Sequence, residues 1–541
     1  MMRILPIVIC AGLALGPAQA QFAAGQLTQT ETLEVPGPSQ HLFSNPWYQC
    51  TRNFYVNSST GNDANSGVSP VAAWQHIQHP DNPSRTGGDC IHVAPGTYSE
   101  NIRIEHGGNA PTATGYVVYR CEVMNACHVL SRTTASVWGF RNFGSFVVVD
   151  GFEVDGNNAL VTDGASDVCF LSSDPAYGAG GSSLKAGASA HHLWILNNII
   201  HHCNLAGVGF QNKEWYYVVH NTVYHNAFQS GYQGSGIGLV VVQCIEQGGT
   251  NCYTSGIVGT PTSFYSYVPS GNDNAFNPPA AWSPFHNVVA WNVAYNNRIN
   301  YKNPIGCGSL VHTDGNGIII DTFLDGFSNT LTFPYQTLVM NNVSYYNGGR
   351  GLHVFRASNV TVANNSVYNN LTDTCILRTG TKGFVGDFSQ VGGSNNVWIN
   401  NLSKPVPNLG SACALLAGNG PGVPNINETY TDNVLNSDMR NTTLSCIFDN
   451  DASVPYFSCS NNKCSTDPSF VDATPGVNAT TVGGAPTGGT WIPGHANFAL
   501  SPSSPAIGYV SPRSFLPAQN VDAGACHHSL TVCPNPGTTN Y

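Results

Sequence analysis

The chain has 541 residues, only 9% of them charged, and its formal net charge is −11 at pH 7. A sequence with so few cations has no basic surface for nucleic acid or an anionic membrane, so we expect neither partner. Its 41% of hydrophobic residues exclude a disordered polymer and predict a folded protein with a continuous core.

The first segment has the pattern of a secretory signal peptide. Residues 1–20 contain one arginine, an apolar run over residues 4–15 and a small-residue end, which predicts cleavage there and a secreted, extracellular protein. The chain has 17 cysteines, and loss of Cys10 with the signal peptide leaves an even number, as is typical of disulfides in an oxidising compartment. Residues 21–44 are predicted to be an N-terminal extension.

A short pattern recurs through the middle of the chain, in which an apolar strand ends at an Asn and a second short strand follows. The closest spacings, Asn198 to Asn221 and Asn342 to Asn365, are 23 residues and set the minimal repeat. Short strands that cannot bury their own apolar face predict a stacked solenoid, here a parallel β-helix. Stacked strands lie roughly 4.8 Å apart, so aligned Asn side chains would hydrogen-bond as a ladder. The aligned positions are Asn198, Asn221, Asn292, Asn342, Asn365 and Asn401.

Another strand, which begins at a Gly, follows each Asn strand. Period-two alternation predicts that the first and third residues after the Gly point inward and that the second and fourth point outward. After Gly317 and Gly351, this rule places Asp321 and His353 on the outer surface. After Gly383 it predicts the same for Asp387.

The repeated region also contains loop insertions and glycosylation sequons. Residues 172–190 and 242–284 are rich in Gly and Ser, and we predict that they are long loop insertions, the second lying over a groove. Asn-x-Ser/Thr sequons suit a glycosylated secreted product. Two of them, at Asn342 and Asn401, fall on the predicted ladder, and we expect these to be buried and unmodified.

Both ends of the repeated region differ from its middle, at residues 54–65, 74–77 and 88–100 and at residues 467–472, 498–508 and 522–525. These segments resemble the opening and closing coils of secreted β-helix proteins of the pectate-lyase-like superfamily, particularly the family-nine polysaccharide lyases. The resemblance implies an all-β, single-domain right-handed parallel β-helix over residues 45–530, followed by a C-terminal tail at residues 531–541.

Charged side chains are concentrated between residues 298 and 356, in a chain with 19 Lys and Arg in total. A Gly-rich turn at residues 312–317 brings Asp314 close to the strand of Asp321. One coil later the strand carries basic residues, so acids and bases are predicted to meet across neighbouring coils. The candidates are Arg298, Lys302, His312, Asp314, Asp321, Asp325, Arg350, His353 and Arg356, with Lys213 at a more distant substrate subsite or in a strand-end ion pair.

These residue types suit β-elimination on a uronic-acid polysaccharide. A cation, either Ca²⁺ or an Arg, would neutralise the substrate carboxylate, and a base would then remove the C5 proton. We expect His353 or Lys302 to be the base, and Arg groups to bind carboxylates. The predicted sets are His353, Lys302, Asp314, Asp321 and His312 for catalysis, Arg298, Arg350, Arg356 and Lys213 for substrate binding, and Asp314, Asp321 and Asp325 for Ca²⁺.

Other functions would use the same surface. A glycoside hydrolase of this fold would use Asp314 and Asp321 as acid and base, and a C5 epimerase would leave chain length unchanged. A non-catalytic β-helix would bind sugars through aromatic residues such as Trp215. Family-nine lyases use a Lys base and several Asp around calcium, whereas this chain has no Asp-Asp pair. In each case we expect a monomer with a polysaccharide partner, acidic for the lyase.

Overall fold

The computed structural model shows a parallel β-helix in which the chain winds through three long sheets. From Asp89 to Asp449 each coil adds one strand to sheet A, then one to sheet B and then one to sheet C, and equivalent strands of successive coils pair in parallel. The predicted fold is therefore confirmed. The structure describes residues 48–79, 85–131, 139–157, 168–172, 190–211, 214–228, 234–242, 285–299, 312–323, 333–373, 375–376, 385–405, 412–420, 423–436, 447–449, 457–464, 466–472, 480–482, 485–488, 497–509 and 522–525.

Within the described ranges, sheet A has 12 strands, sheet B has 11 and sheet C has 10. The strands of sheet A are short and rich in Val, Ile and aromatic residues, as expected for parallel strands buried on both faces. Its outer face carries aromatic stacks such as Trp194 on Tyr217, whose ring centroids lie 5.6 Å apart. The strands are Arg52–Val56, Asp89–Val93, Val117–Cys121, Val147–Asp150, Leu193–Leu196, Tyr216–Val219, Phe285–Ala290, Gln336–Met340, Val360–Ala363, Val397–Ile399, Glu428–Thr431 and Phe457–Ser460.

Sheet B has 11 strands. Tyr224, Tyr295 and Tyr345 stack on its outer face with centroids 4.9 and 5.0 Å apart, so these rings join coils to one another. The strands are Gly96–Tyr98, Cys127–Leu130, Phe152–Asp155, Ile199–His201, Thr222–Tyr224, Val293–Tyr295, Val343–Tyr345, Ser366–Tyr368, Leu402–Lys404, Val434–Leu435 and Lys463–Cys464.

Sheet C has 10 strands and carries most of the candidate site. Its inner face is a continuous apolar row in which Ile237, Ile318 and Leu352 lie in register and are fully buried. The strands are Ile102–Ile104, Phe140–Asn142, Val168–Ser172, Ala206–Gln211, Ile237–Val240, Ile318–Asp321, Leu352–Phe355, Val385–Val391, Ala412–Gly418 and Ile447–Asp449.

Few elements lie outside the three sheets. The described residues contain one short 3-10 helix, Pro70–Ala72, and none of their helices has the length and apolar character needed to cross a membrane. The remaining strands form three two-stranded sheets: Gly393–Ser394 with Asn425–Ile426, Phe470–Asp472 with Asn497–Leu500, and Thr480–Val482 with Ala485–Gly488.

The predicted Asn ladder runs along the corner between sheets A and B. Asn221, for example, donates from Nδ2 to Asn292 Oδ1 over 3.0 Å, and the same oxygen accepts the backbone N–H of Asn221 over 2.9 Å. All six predicted members take part, and the ladder continues to Asn433 and Asn462. Each rung therefore satisfies polar groups that the corner buries.

A second ladder between sheets B and C was not predicted. It links Asn226, Asn297, Asn347 and Asn370 through side-chain hydrogen bonds of 2.8–2.9 Å. Its sequence signal is a recurring Tyr-x-Asn pattern, in which the Tyr ends a sheet B strand. The second ladder was not recognised in the sequence because its Asn residues recur with the same spacing as those of the first ladder.

The prediction that Asp387 faces outward is wrong. Leu352 pairs with Phe388, so Asp387 takes the corner position that Gly351 has one coil earlier, where a Cβ atom would lie 2.8 Å from the core residue Val367. Asp387 is fully buried and accepts a hydrogen bond from Ser403 Oγ over 3.3 Å. Counting from Gly383 places Phe388 inward correctly, but it ignores the corner, where the side chain of Asp387 turns toward the core.

Three disulfides join described residues: Cys50 to Cys90, Cys121 to Cys127 and Cys169 to Cys203. Several predicted segments lie outside the described residues. They are the signal peptide 1–20, the extension 21–44, the tail 531–541 and nearly all of the two loop insertions, at residues 173–189 and 243–284.

Candidate functional site

Two neighbouring strands of sheet C carry polar side chains on their outer faces. Asp321 pairs with Phe355, and His353 lies two positions earlier on the second strand. Ile320 and Val354, the adjoining residues, are fully buried in the core. Because successive side chains of a strand point to opposite faces, Asp321 and His353 both point away from the core on adjacent coils, as predicted.

The turn before the first strand places Asp314 near Asp321. Asn316 Nδ2 donates a hydrogen bond to Asp314 Oδ1 over 3.3 Å, and the side chain of Asp314 is half-buried. Burial, followed by the charge of Asp321, raises the pKa of Asp314 to about 8, although Arg350 opposes the shift. Asp314 therefore keeps its proton at neutral pH.

Asp321 is the ionised member of this carboxyl pair. Burial raises its pKa to about 6, while a hydrogen bond from Thr322 and the charge of Arg356 partly offset that effect. Thr322 Oγ1 donates to Asp321 Oδ1 over 2.7 Å. At pH 7 the pair thus offers one proton donor and one proton acceptor, the arrangement that general acid–base chemistry uses.

Arg350 joins the turn of one coil to the turn of the next. Its backbone N–H donates to Asn316 Oδ1 over 2.8 Å, and its Nη1 donates to the carbonyl oxygen of Thr313 over 2.9 Å. A Cβ atom at Gly349 would lie 2.5 Å from the carbonyl oxygen of Asp314. The two turns therefore pack at backbone contact, which only a glycine permits, and this holds the guanidinium near Asp314.

His353 is a neutral imidazole within the same group. Its side chain is buried, and its Nδ1 lies 3.2 Å from the carbonyl oxygen of Ser389. Since a carbonyl oxygen can only accept, Nδ1 carries the proton and Nε2 has the lone pair. Burial and then the charge of Arg350 hold the pKa of His353 well below its ordinary value.

Five predicted residues thus form one electrostatically connected group, which we call the sheet C cluster. Each member acts on the next through charge. In order they are Arg356, Asp321, Asp314, Arg350 and His353. The members at positions 314, 321 and 356 are half-buried and are the most exposed of the five, whereas Arg350 and His353 are 2% and 4% exposed.

Two predicted site residues have Asp373 as their partner. His312 Nδ1 lies 2.5 Å from Asp373 Oδ2, and both side chains are buried. Arg298 also interacts with the charge of Asp373, and a Cβ atom at Gly348 would lie 2.6 Å from Cβ of Arg298. His312 and Arg298 thus share Asp373 as a partner at this corner, and their predicted roles in catalysis and substrate binding stay predictions.

His312 and Asp373 also lie near Cys375, whose backbone N–H donates to Asp373 Oδ1 over 2.8 Å. Cys375 is disulfide-bonded, so it has no thiolate for a metal ion. Three further predicted residues, Lys213, Lys302 and Asp325, lie outside the described residues, and their roles stay predictions.

Sequence reasoning missed the residues that hold the cluster in place. Asn316 bridges both turns, Ser389 orients His353, and Asp373 engages His312. Only Asn316 had a signal, because it lies in the Asp-Gly-Asn-Gly turn that the sequence singled out. Ser389 and Asp373 are brought in by coil stacking, which no local pattern encodes.

No protein-family model and no curated protein matches the sequence. Solved structures that are similar in fold include the following three. The pectate lyase Pel9A is 15% identical with a TM-score of 0.45, over 90% of this chain and 98% of its own. The GH136 lacto-N-biosidase from Eubacterium ramulus is 9% identical with a TM-score of 0.39, over 76% and 68%. The A-module of the mannuronan C-5 epimerase AlgE6 from Azotobacter vinelandii is 12% identical with a TM-score of 0.34, over 69% and 90%.

Similarity at this level does not transfer an activity. The strand pairing by itself establishes the parallel β-helix. The fold that the resemblance of the two chain ends to pectate-lyase-like proteins implied is confirmed by this pairing.

Proposed function

We propose that the protein is a carbohydrate-active enzyme that cleaves a uronate-containing polysaccharide by β-elimination at the sheet C cluster. The observation that carries the proposal is that the sheet C cluster places two guanidinium groups, of Arg350 and Arg356, beside the half-buried carboxyl groups of Asp314 and Asp321. At pH 7 it holds two guanidinium groups against one ionised carboxylate, since Asp314 is protonated and His353 is neutral. A local excess of positive charge in a chain of net charge −11 suits an anionic ligand.

The parts of the reaction follow from these protonation states. Arg356, which is half-buried, binds the substrate carboxylate, and the charge of the buried Arg350 behind it adds to the neutralisation, which acidifies the C5 proton. The lone pair on Nε2 of His353 accepts that proton. The electrons of the C5–H bond form the C4–C5 double bond, the bond from C4 to the leaving oxygen breaks, and Asp314 gives its proton to that oxygen.

Calcium is a separate prediction, and no step above depends on it. Ca²⁺ takes six to eight oxygen ligands, whereas the described part of the cluster offers the carboxylates of Asp314 and Asp321, each near a guanidinium group. This donor set by itself does not fit a calcium cage. Asp325, the third predicted ligand, lies outside the described residues.

Glycoside hydrolysis is the second candidate, and one observation favours it. Asp314 and Asp321 are both half-buried and differ in pKa, at about 8 and about 6, whereas His353 is only 4% exposed. A protonated and an ionised carboxyl group are the pair that glycosidases use. In this route Asp314 protonates the leaving oxygen, and Asp321 acts as base or nucleophile.

The two routes are separated by product chemistry. Purified full-length protein is incubated with a panel of polyuronates and neutral polysaccharides, each with Ca²⁺ or with chelator. We expect the ultraviolet absorbance of an unsaturated uronate together with new reducing ends. New reducing ends without absorbance would establish the hydrolase. Absorbance that is lost with chelator would establish the metal requirement. Retention of the protein on a polymer without any product would show that it is a binding module and not an enzyme.

Variants test the assigned roles. For the lyase, His353→Gln and Asp314→Asn should each lower kcat by roughly 10²–10⁴-fold, while Asp321→Asn has a smaller effect. The control His76→Gln replaces a half-exposed imidazole that is also next to a carboxylate, and it should leave kcat unchanged. A large loss in Asp321→Asn with little loss in His353→Gln would overturn the elimination route in favour of hydrolysis.

We also propose that the protein acts outside the cytosol. Three disulfides join described residues, and structural disulfides persist in oxidising compartments. The signal-peptide pattern at residues 1–20 supports the same location. The monomeric state stays a prediction, which sedimentation of the purified protein would test.

A further inference from the structure

A second group of ionisable side chains lies on the outer face of sheet B, toward its N-terminal end. Asp155 pairs directly with His201 on the next coil, and His202 follows at the corner in a left-handed conformation with φ of 56°. Oδ1 of Asp155 lies 3.8 Å from Nδ1 of His201 and 3.8 Å from Nδ1 of His202, and the two Nδ1 atoms are 2.6 Å apart.

One position lies at the same distance from all three of these atoms. For a triangle with these sides, the point equidistant from its corners lies about 2.0 Å from each atom, which is the bond length from Zn²⁺ to His nitrogen or Asp oxygen. Two imidazoles and one carboxylate are also the donor types that Zn²⁺ and related transition metals prefer.

A second pair of consecutive histidines shows which contacts are specific to the group at residues 155, 201 and 202. His191 and His192 have the same 2.6 Å contact between Nδ1 atoms, and His192 has the same φ of 56°. The contact between the two rings therefore follows from the backbone of consecutive histidines at a corner. Of the two pairs, only the one at residues 201 and 202 forms a three-ligand group with a carboxylate among the described residues.

The outer nitrogens of both imidazoles have partners that fix the rings. Nε2 of His201 lies 3.1 Å from Oε1 of Glu153, and Nε2 of His202 lies 3.3 Å from Nδ1 of His225. A metal-bound histidine commonly donates its other N–H to a carboxylate, which sets the tautomer and leaves the inner nitrogen free for the metal. The His201–Glu153 contact has this form.

Two further contacts hold the carboxylate and its surroundings. Oδ1 of Asp155 accepts the backbone N–H of Asn157 over 2.7 Å. Nε2 of His128 is buried and lies 3.7 Å from Oδ2 of Asp155, too far for a hydrogen bond. The Cys169–Cys203 disulfide fixes the residue after His202, so the group is preorganised.

We propose that Asp155, His201 and His202 bind one divalent transition-metal ion of the Zn²⁺ class, with Glu153 as the positioning residue. The ion joins two successive coils. The side chains of Asp155 and His202 are 21% and 35% exposed, so the site is reached from solvent. Sites with three protein ligands and one open position suit a bound water molecule.

The test uses full-length protein stripped with chelator and dialysed. We expect calorimetric titration with ZnCl₂ to show one tight equivalent, Co²⁺ to give the visible absorption of a low-coordinate site, and added Zn²⁺ to raise Tm. Asp155→Asn and His202→Ala should abolish the equivalent, and Glu153→Gln should weaken it about 10–100-fold. Cooperative thermal unfolding of each variant shows that it has folded.

Asp63→Asn is the matched control. Asp63 also contacts two imidazoles, but His76 and His79 approach different oxygens, at 2.6 and 3.5 Å. This variant should bind Zn²⁺ as the wild type does. The proposal fails if wild-type protein binds no stoichiometric metal, or if binding survives in Asp155→Asn and His202→Ala or disappears in Asp63→Asn.

Discussion

Glu428 is a buried carboxyl group at the corner between sheets C and A. Its Oε2 accepts the backbone N–H of Asn396 over 3.1 Å and its Oε1 accepts Nδ2 of Asn396 over 3.2 Å. In the Asn ladders a single amide oxygen accepts both of these donors from the preceding coil. Burial raises the pKa of Glu428 to about 8, although both hydrogen bonds oppose the shift.

This shift makes stability fall as pH rises. Between its ordinary pKa of 4.5 and its folded pKa of about 8, Glu428 is ionised in the unfolded chain and protonated in the folded one. Each pH unit in that window therefore costs up to about 1.4 kcal/mol. Glu428→Gln removes the titration and keeps an acceptor oxygen, so its advantage over wild type should grow from pH 5 to pH 8 in urea unfolding.

The control for this measurement is Glu105→Gln, at a carboxylate whose side chain is 39% exposed. Its difference from wild type should stay small and nearly independent of pH. A pH profile of Glu428→Gln that runs parallel to wild type would contradict the raised pKa.

The corner between sheets A and B is the element that the Asn ladder holds together. The residue before each ladder Asn is left-handed, as at His220, Trp291 and Asn341, with φ of 52–59°. Such conformations are costly for bulky side chains, and the ladder offsets that cost by satisfying every coil's buried N–H groups. Asn342 and Asn401 are 1% and 0% exposed, so in the folded protein their sequons cannot carry a glycan.

Asn292 tests the ladder from its middle. It donates to Asn342 Oδ1 over 3.0 Å and to the carbonyl oxygen of Val218 over 2.8 Å, and it accepts two bonds from Asn221. In Asn292→Ala the backbone N–H of Asn221 and the carbonyl oxygen of Val218 lose these bonds, at about 1–3 kcal/mol each. Asn342 Oδ1 keeps the backbone N–H of residue 292, and Nδ2 of Asn221 keeps two carbonyl oxygens. We expect a loss of roughly 2–6 kcal/mol in the free energy of unfolding, measured by urea denaturation.

Asn462 supplies the comparison at the last described rung. It is only half-buried, so water can replace part of what its side chain provides, and Asn462→Ala should cost about 1–2 kcal/mol. Equal losses at the two positions would show that the ladder is not the source of the difference.

At the scale of the whole molecule, each coil contacts mainly the coils beside it, so stability is distributed along the axis. The three described disulfides all lie in the first coils, before residue 204. The Cys50–Cys90 bond spans 40 residues and the Cys121–Cys127 bond spans 6. In the chain-entropy account, these separations correspond to about 4 and about 2 kcal/mol.

Removing the Cys50–Cys90 disulfide should therefore destabilise only the N-terminal end of the solenoid. In a Cys50→Ser/Cys90→Ser variant, hydrogen exchange followed by mass spectrometry should be faster in the strands Arg52–Val56 and Asp89–Val93. The strands from Gln336–Met340 onward should be unchanged. Cys121→Ser/Cys127→Ser, which opens the shorter loop, should have a smaller effect. Uniformly faster exchange along the chain would mean that the solenoid unfolds as one cooperative unit.

The sequence by itself determined the solenoid, the first ladder and the outward direction of Asp321 and His353. Those features depend on local repetition, namely a period of two along each strand and an Asn at each turn of the coil. Both patterns are visible in the amino-acid sequence. The Tyr-x-Asn signal of the second ladder was equally local and was overlooked.

Only the tertiary structure decided which polar groups share a surface. The same local rules misplaced Asp387, because it lies at the coil corner that Gly351 occupies one coil earlier, where the side chain turns toward the core. They also missed that Asp373 engages His312, 61 residues away in sequence, and that Asp155 lies beside His201 and His202. Such contacts depend on how many residues each loop inserts between coils, and loop length leaves no periodic trace in the sequence.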